Sequence, residues 1–162
     1  MRFLFLALSL LGSVPYAHAG SPAPGFTLRD LSNRPHTLEQ YRGKVVLLDF
    51  WATFCGPCLI EMPHLQKMYT DLAPKGLVVL GISADAARDQ SRIKPLVAGK
   101  GLTYPILLDP QTTTVAAYNP SKTLPYSVVV GRDGSIVHVH AGYNPGDEVA
   151  LRAAVEAALA AP

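Results

Sequence analysis

Cys55 and Cys58 are the only cysteines in the chain, and two residues, Gly56 and Pro57, separate them. At that spacing two sulfurs can trade between dithiol and disulfide within one turn of helix, and the arrangement helps lower the pKa of the first thiol. The residues leading in, Val45 to Trp51, read as a strand, and those following, Leu59 to Leu72, read as a helix. A C-x-x-C at a strand-to-helix junction points to redox chemistry rather than to zinc. A structural zinc site takes four ligands, so two of the five histidines would have to join the sulfurs. His18, His36, His138 and His140 are remote in sequence, and His64 falls on another side of the helix from Cys58. The pair could still hold a soft ion such as Cu(I), and copper delivery stands as a rival binding function.

Asp49 is the only charge between Val45 and Ile60, in a strand expected to be buried. An isolated buried carboxyl has a raised pKa and could take and return the proton of Cys58. The alternative is a strand-end Asp that bonds nearby backbone N–H groups. Glu61, three residues past Cys58, either modulates that thiol or is an ordinary exposed helix residue.

The elements that must position these groups follow from pattern. Met1-Arg2, the apolar run Phe3 to Leu11 and Ala17-His18-Ala19 read as a signal peptide, residues 1–19, cleaved after Ala19. The run is far short of the ~20 residues that cross a bilayer. The expected product, 20–162, is one soluble exported domain in an oxidising compartment. Losing Arg2 lowers Lys+Arg from 14 to 13 against 12 Asp+Glu. Without a basic run, nucleic acid is not an expected partner.

Ser21 to Gly25 is a Pro/Gly leader, and Phe26–Leu28 with His36–Leu38 suggests an N-terminal hairpin around a polar turn, 30–35. Lys44 to Trp51 and Leu77 to Ile82 are almost continuously apolar, as strands buried on both faces should be. Cys58, Met62, Leu65, Tyr69 and Leu72 form one helical stripe, with Pro63 expected to kink the helix. Ala86 to Gly99 reads as a helix interrupted or restarted at Pro95, and Tyr104 to Leu108 as a strand. Asp109-Pro110 reads as an N-cap with Pro at the first helical position, opening a helix through Tyr118. Tyr126–Val130 and Ser135–His140 flank Arg132-Asp133-Gly134, a hairpin signal. Asn144-Pro145 caps a last helix with Leu151, Val155 and Leu159 inward. The fold class is α/β, a sheet covered on both faces with an antiparallel hairpin at one edge.

Asp49-Phe50-Trp51-Ala52-Thr53-Phe54-Cys55-Gly56-Pro57-Cys58, with Glu61-Met62-Pro63 behind it, resembles the thioredoxin-like TlpA/ResA family of exported thiol-disulfide oxidoreductases. Ala23 to Leu28 and Tyr41-Arg42-Gly43-Lys44 look like that family's leader, Thr123-Leu124-Pro125 like its cis-proline segment, and Arg132-Asp133-Gly134 like its hairpin. The resemblance implies a thioredoxin-like fold: a central mixed sheet flanked by helices, an N-terminal hairpin and a helix–strand insertion at about Ala86 to Leu108. It implies Cys55 as nucleophile and Cys58 as the resolving thiol, with no cofactor beyond their disulfide and no metal. Substrate binding would fall to Leu124, Pro125, Trp51, Phe54, Gly56 and Pro57, Trp51 packing beside the disulfide. A trans Pro125 opening a strand is the bland alternative.

The implied partners are disulfide-containing exported proteins, with a membrane thiol reductase as electron donor and the protein itself a monomer. Two departures stand out: Phe54 where the family usually has Trp, and Asp49 where it often has Asn. Gly56-Pro57 matches thioredoxin, near ~−270 mV, rather than the strong oxidants of this fold, near ~−120 mV. A peroxidase of the peroxiredoxin kind is the other enzymatic alternative, but it needs Pro and Thr where Leu48 and Ala52 stand.

Overall fold

The structure is a computed structural model, which describes residues 20–162. The leader read as 1–19 lies outside the described residues. Seven strands form one mixed sheet: β1 (Thr27–Asp30), β2 (Pro35–Thr37), β3 (Val45–Trp51), β4 (Leu77–Ser83), β5 (Ile106–Leu108), β6 (Tyr126–Val130) and β7 (Ile136–Ala141). Their spatial order is β2-β1-β5-β4-β3-β6-β7. Four α-helices cover it among the described residues: α1 (Gly56–Leu72), α2 (Ile93–Gly99), α3 (Thr113–Tyr118) and α4 (Asp147–Ala160).

β3 is the axis of the molecule. It pairs in parallel with β4 and antiparallel with β6, and every one of its residues is buried. Side chains alternate across a strand, so its two faces feed two cores. Val45, Leu47 and Trp51 pack with Met62, Leu65, Met68 and Leu72 of α1, Ile93 of α2 and Leu151 and Val155 of α4. Val46, Leu48 and Phe50 pack with Val115 and Tyr118 of α3. A fully apolar strand is the sequence consequence of covering both faces.

The N-terminal hairpin forms, and it joins the main sheet through antiparallel pairing of β1 with β5. The helix–strand insertion is present as α2 and β5, but its break differs from the sequence reading. A 3-10 segment over Ala87–Arg92 precedes α2, and Pro95 sits in the first turn of α2. There a missing N–H leaves no helical bond unmade, so the proline interrupts nothing.

Two helix starts also move. Asp109 is not the N-cap of α3, which begins at Thr113 after Thr112 in the left-handed region. The Asp109 carboxyl nevertheless accepts from the Val115 N–H at 2.8 Å, reaching over a turn to satisfy a free donor of that helix. Likewise α4 begins at Asp147, after a left-handed Gly146, and Asp147 accepts from the Asn144 N–H at 2.8 Å. Only Leu159 of its expected inward residues is partly exposed; Leu151 and Val155 are fully buried.

Candidate active site

α1 begins at the cysteines themselves, three residues earlier than the apolar pattern indicated. Cys55 is its N-cap, and the Cys55 Sγ accepts from the Cys58 N–H at 3.3 Å. Pro57 occupies the first turn, where its fixed φ suits a helix and its absent N–H is not needed. The two sulfurs form a disulfide with Cα atoms 5.3 Å apart. Cys55 is 7% exposed and Cys58 1%. The first sulfur is thus the outer one, though far less open than a surface thiol. A sulfur held at a helix N-terminus, accepting a backbone N–H, is in the environment that favours thiolate.

The rim of the disulfide is mixed. Phe54, 76% exposed, and Ile60, 57% exposed, stand on either side of the cysteines, and Gly56 and Pro57 are exposed between them. Leu124 is half-buried and packs against both cores, and the Leu124–Pro125 peptide is cis. Trp51 departs from the substrate-binding surface inferred from the sequence. It has no exposed surface and packs in the same core as Cys55 and Cys58. The reason is its place on β3, on the face that α1 covers; a client cannot touch it.

β3 and α1 also bury two acids that act on each other. Asp49 is 1% exposed, stands opposite Gly81 in β4 and Ser127 in β6, and its Oδ1 has no hydrogen-bond partner in the protein. Glu61 is also 1% exposed, with Oε2 unpaired, so it is not the exposed helix residue that one reading of the sequence allowed. Burial pushes the Asp49 carboxyl well above the usual carboxylate range, and the Glu61 charge pushes it further. Burial lifts Glu61 to about 7; the Ser127 hydroxyl restrains the rise, and the Asp147 and Glu148 charges add to it. The Trp51 Nε1 and the Tyr104 hydroxyl are buried and unpaired as well. Gly81 makes room for them: a Cβ there would lie 3.2 Å from Trp51 Nε1, 3.1 Å from Tyr104 Cε2 and 2.7 Å from Ile106 Cδ1.

One buried acid beside the β3–α1 loop escaped the sequence reading. Asp85, 1% exposed, accepts from the Thr53 N–H at 3.0 Å, the Thr53 hydroxyl at 2.5 Å and the Ser83 hydroxyl at 2.8 Å. The signal available was positional: Asp85 follows the end of β4, beside the end of β3, where parallel strands deliver site residues.

The comparisons agree with this geometry. The AhpC/TSA family matches residues 19–139. Thiol-disulfide oxidoreductase ResA of Halalkalibacterium halodurans is 34% identical over 78% of this chain and 70% of its own. The protein of the same name from Geobacillus thermodenitrificans is 33% identical over 86% and 83%. Among solved structures, a Chlorobium tepidum chain assigned as a thiol:disulfide interchange protein DsbE superposes with a TM-score of 0.81 at 29% identity, covering 88% of this chain and 99% of its own. The chain belongs to the AhpC/TSA family, in its thioredoxin-like branch. The fold and the enzyme class, thiol-disulfide oxidoreductase, follow from these matches together with the site.

Proposed function

We propose that this chain works outside the cytoplasm, after removal of residues 1–19, as a soluble monomer that reduces disulfides of exported client proteins. The observation that carries the reading is the Cys55 Sγ at the head of α1, bonded by the Cys58 N–H, with Cys58 sealed behind it. In the reduced protein the Cys55 thiolate attacks a client disulfide, forms a mixed disulfide and releases one client thiolate. The Cys58 thiol gives its proton to Asp49, and its thiolate then attacks the Cys55 Sγ. That step closes the Cys55–Cys58 disulfide and expels the second client thiolate, so two electrons pass from dithiol to client. A membrane thiol reductase restores the dithiol, and no cofactor is needed beyond the cysteine pair.

Phe54, Gly56, Pro57 and the half-buried Leu124 frame the client, the Leu124 backbone pairing with an extended segment. Glu61 modulates the acid that serves Cys58 rather than meeting the client, since it is buried.

Equilibration of the Cys55–Cys58 couple with a glutathione series tests the direction of electron flow. The reading predicts a potential nearer the thioredoxin end, about −270 mV, than the oxidant end. A value near about −120 mV would make the protein an oxidant of its clients instead.

A further inference from the structure

The loop Ala52–Phe54 joins β3 to α1, and its geometry decides where Cys55 sits. Within it the Cys55 N–H donates to the Ala52 carbonyl at 3.0 Å. Among the described residues, the hydrogen bonds that hold the loop from outside come from the end of β4. Ser83 pairs with Trp51 across the parallel ladder, and the Ala84 N–H donates to the Trp51 carbonyl at 2.8 Å. The chain then turns so that Asp85 meets Thr53: both carboxyl oxygens approach the Thr53 N–H, at 3.2 and 3.0 Å, and Oδ1 also takes the Thr53 hydroxyl. Asp85 is itself held from behind, by the Ser83 hydroxyl on Oδ2 and by its own N–H on the Ser83 Oγ at 3.1 Å.

This is costly chemistry for a surface turn. A carboxyl group taken out of water needs full compensation, and among the described residues Asp85 has no ion-pair partner. Among those residues its hydrogen-bonded compensation comes from Thr53 and Ser83. A β-strand end and a short loop could be satisfied by water or by a neutral Ser or Asn. What the carboxyl group adds is simultaneous grip on the backbone and side chain of one residue, two positions before the sulfur.

We propose that Asp85 is a positioning residue for the exchange reaction, clamping Thr53 so that Cys55 is delivered as the N-cap of α1. The clamp acts through Thr53 and touches neither sulfur. The proposal rests on the reading of Cys55 as the attacking thiol. With the loop released, the Cys55 Sγ swings out of line with the free N–H groups at the head of α1. The stabilisation those groups give to a thiolate then weakens.

The sign of the effect separates clamping from bulk electrostatics. Removing a nearby buried negative charge would by itself favour the Cys55 thiolate, whereas loosening the cap disfavours it. Two variants of the full mature chain use this: Asp85→Asn, which alters charge and hydrogen bonding together, and Thr53→Val, which removes one hydrogen bond and no charge. The readout is the rate of Cys55 alkylation by iodoacetamide from about pH 5 to 10, mapped by mass, beside melting temperatures.

Clamping predicts that both variants slow Cys55 at pH 7, Asp85→Asn by about tenfold and Thr53→Val by less. Both rates should return to the wild-type plateau at high pH. Faster alkylation in Asp85→Asn, or profiles that overlay the wild type while melting temperature alone falls, would overturn the proposal. If Asp85→Asn fails to fold, Thr53→Val and Ser83→Ala carry the same expectation. A wild-type protein in which Cys58 reacts first would overturn the exchange reading beneath it, a failure visible before any variant is made.

Discussion

Asp49 and Glu61 are buried carboxyl groups, the first the proposed acceptor of the Cys58 proton and the second its proposed modulator, and their environments set two expectations. In the proposed mechanism Asp49 serves the second chemical step, so Asp49→Asn should slow release of the mixed disulfide while leaving the first attack near wild type. A general base contributes roughly a hundredfold or more, and the isostere keeps the packing. Trp51, buried in the same core as the disulfide, lets stopped-flow fluorescence resolve the two steps. Slowing of the attack alone would mean the acid tunes Cys55 instead. Glu61 gives a pH signature in stability. Its folded pKa, about 7, lies above the 4.5 of an open chain. The native state therefore keeps a proton that the unfolded chain surrenders, and this contribution is present below about pH 4.5 and lost as pH rises toward 7. Chemical unfolding of the oxidised protein should show stability falling across that window, and Glu61→Gln should flatten the fall. Parallel slopes in the two proteins would refute the buried-acid assignment.

At the scale of elements, α1 carries a defect and its repair. Pro63 has no N–H, so the Leu59 carbonyl lacks its helical partner. Lys100, just past α2, donates to that carbonyl at 2.7 Å. Lys100→Met should therefore destabilise by about 1–2 kcal/mol in the native background and by much less when Pro63→Ala restores the missing N–H. A double-mutant cycle by denaturant melts measures the coupling, and strict additivity would show that the lysine merely rests there. The sequence announced the proline but not its remedy, which comes from 41 positions away. Asp85 was hidden for the same reason, its partner Thr53 being 32 residues distant. Glu61 lies beside the apolar stripe of α1, and the periodicity of that helix alone cannot show that charges at the head of α4 and Ser127 of β6 come near enough to act on it. What was legible was local: the apolar runs of β3 and β4, the hairpin of β6 and β7, and the cysteine pair at the head of α1. The start of α3 was misplaced because Asp109 caps it from outside, a geometry that mimics an N-cap in sequence.

For the whole molecule, the sheet is a platform on which β3 and β4 end together under the head of α1. β6 brings the Leu124–Pro125 segment to the flank of the same site. Cys55 is the more exposed sulfur and Cys58 the sealed one, and the proposed mechanism gives them unequal tasks. Trapping tests that inequality directly. Reduced Cys58→Ser and Cys55→Ser variants are mixed with a disulfide-bonded protein substrate, and the adducts are mapped by mass. The account predicts a long-lived mixed disulfide through Cys55 in the Cys58→Ser variant and little or no adduct through Cys58 in the other. Equal trapping at both positions, or adducts only through Cys58, would contradict it.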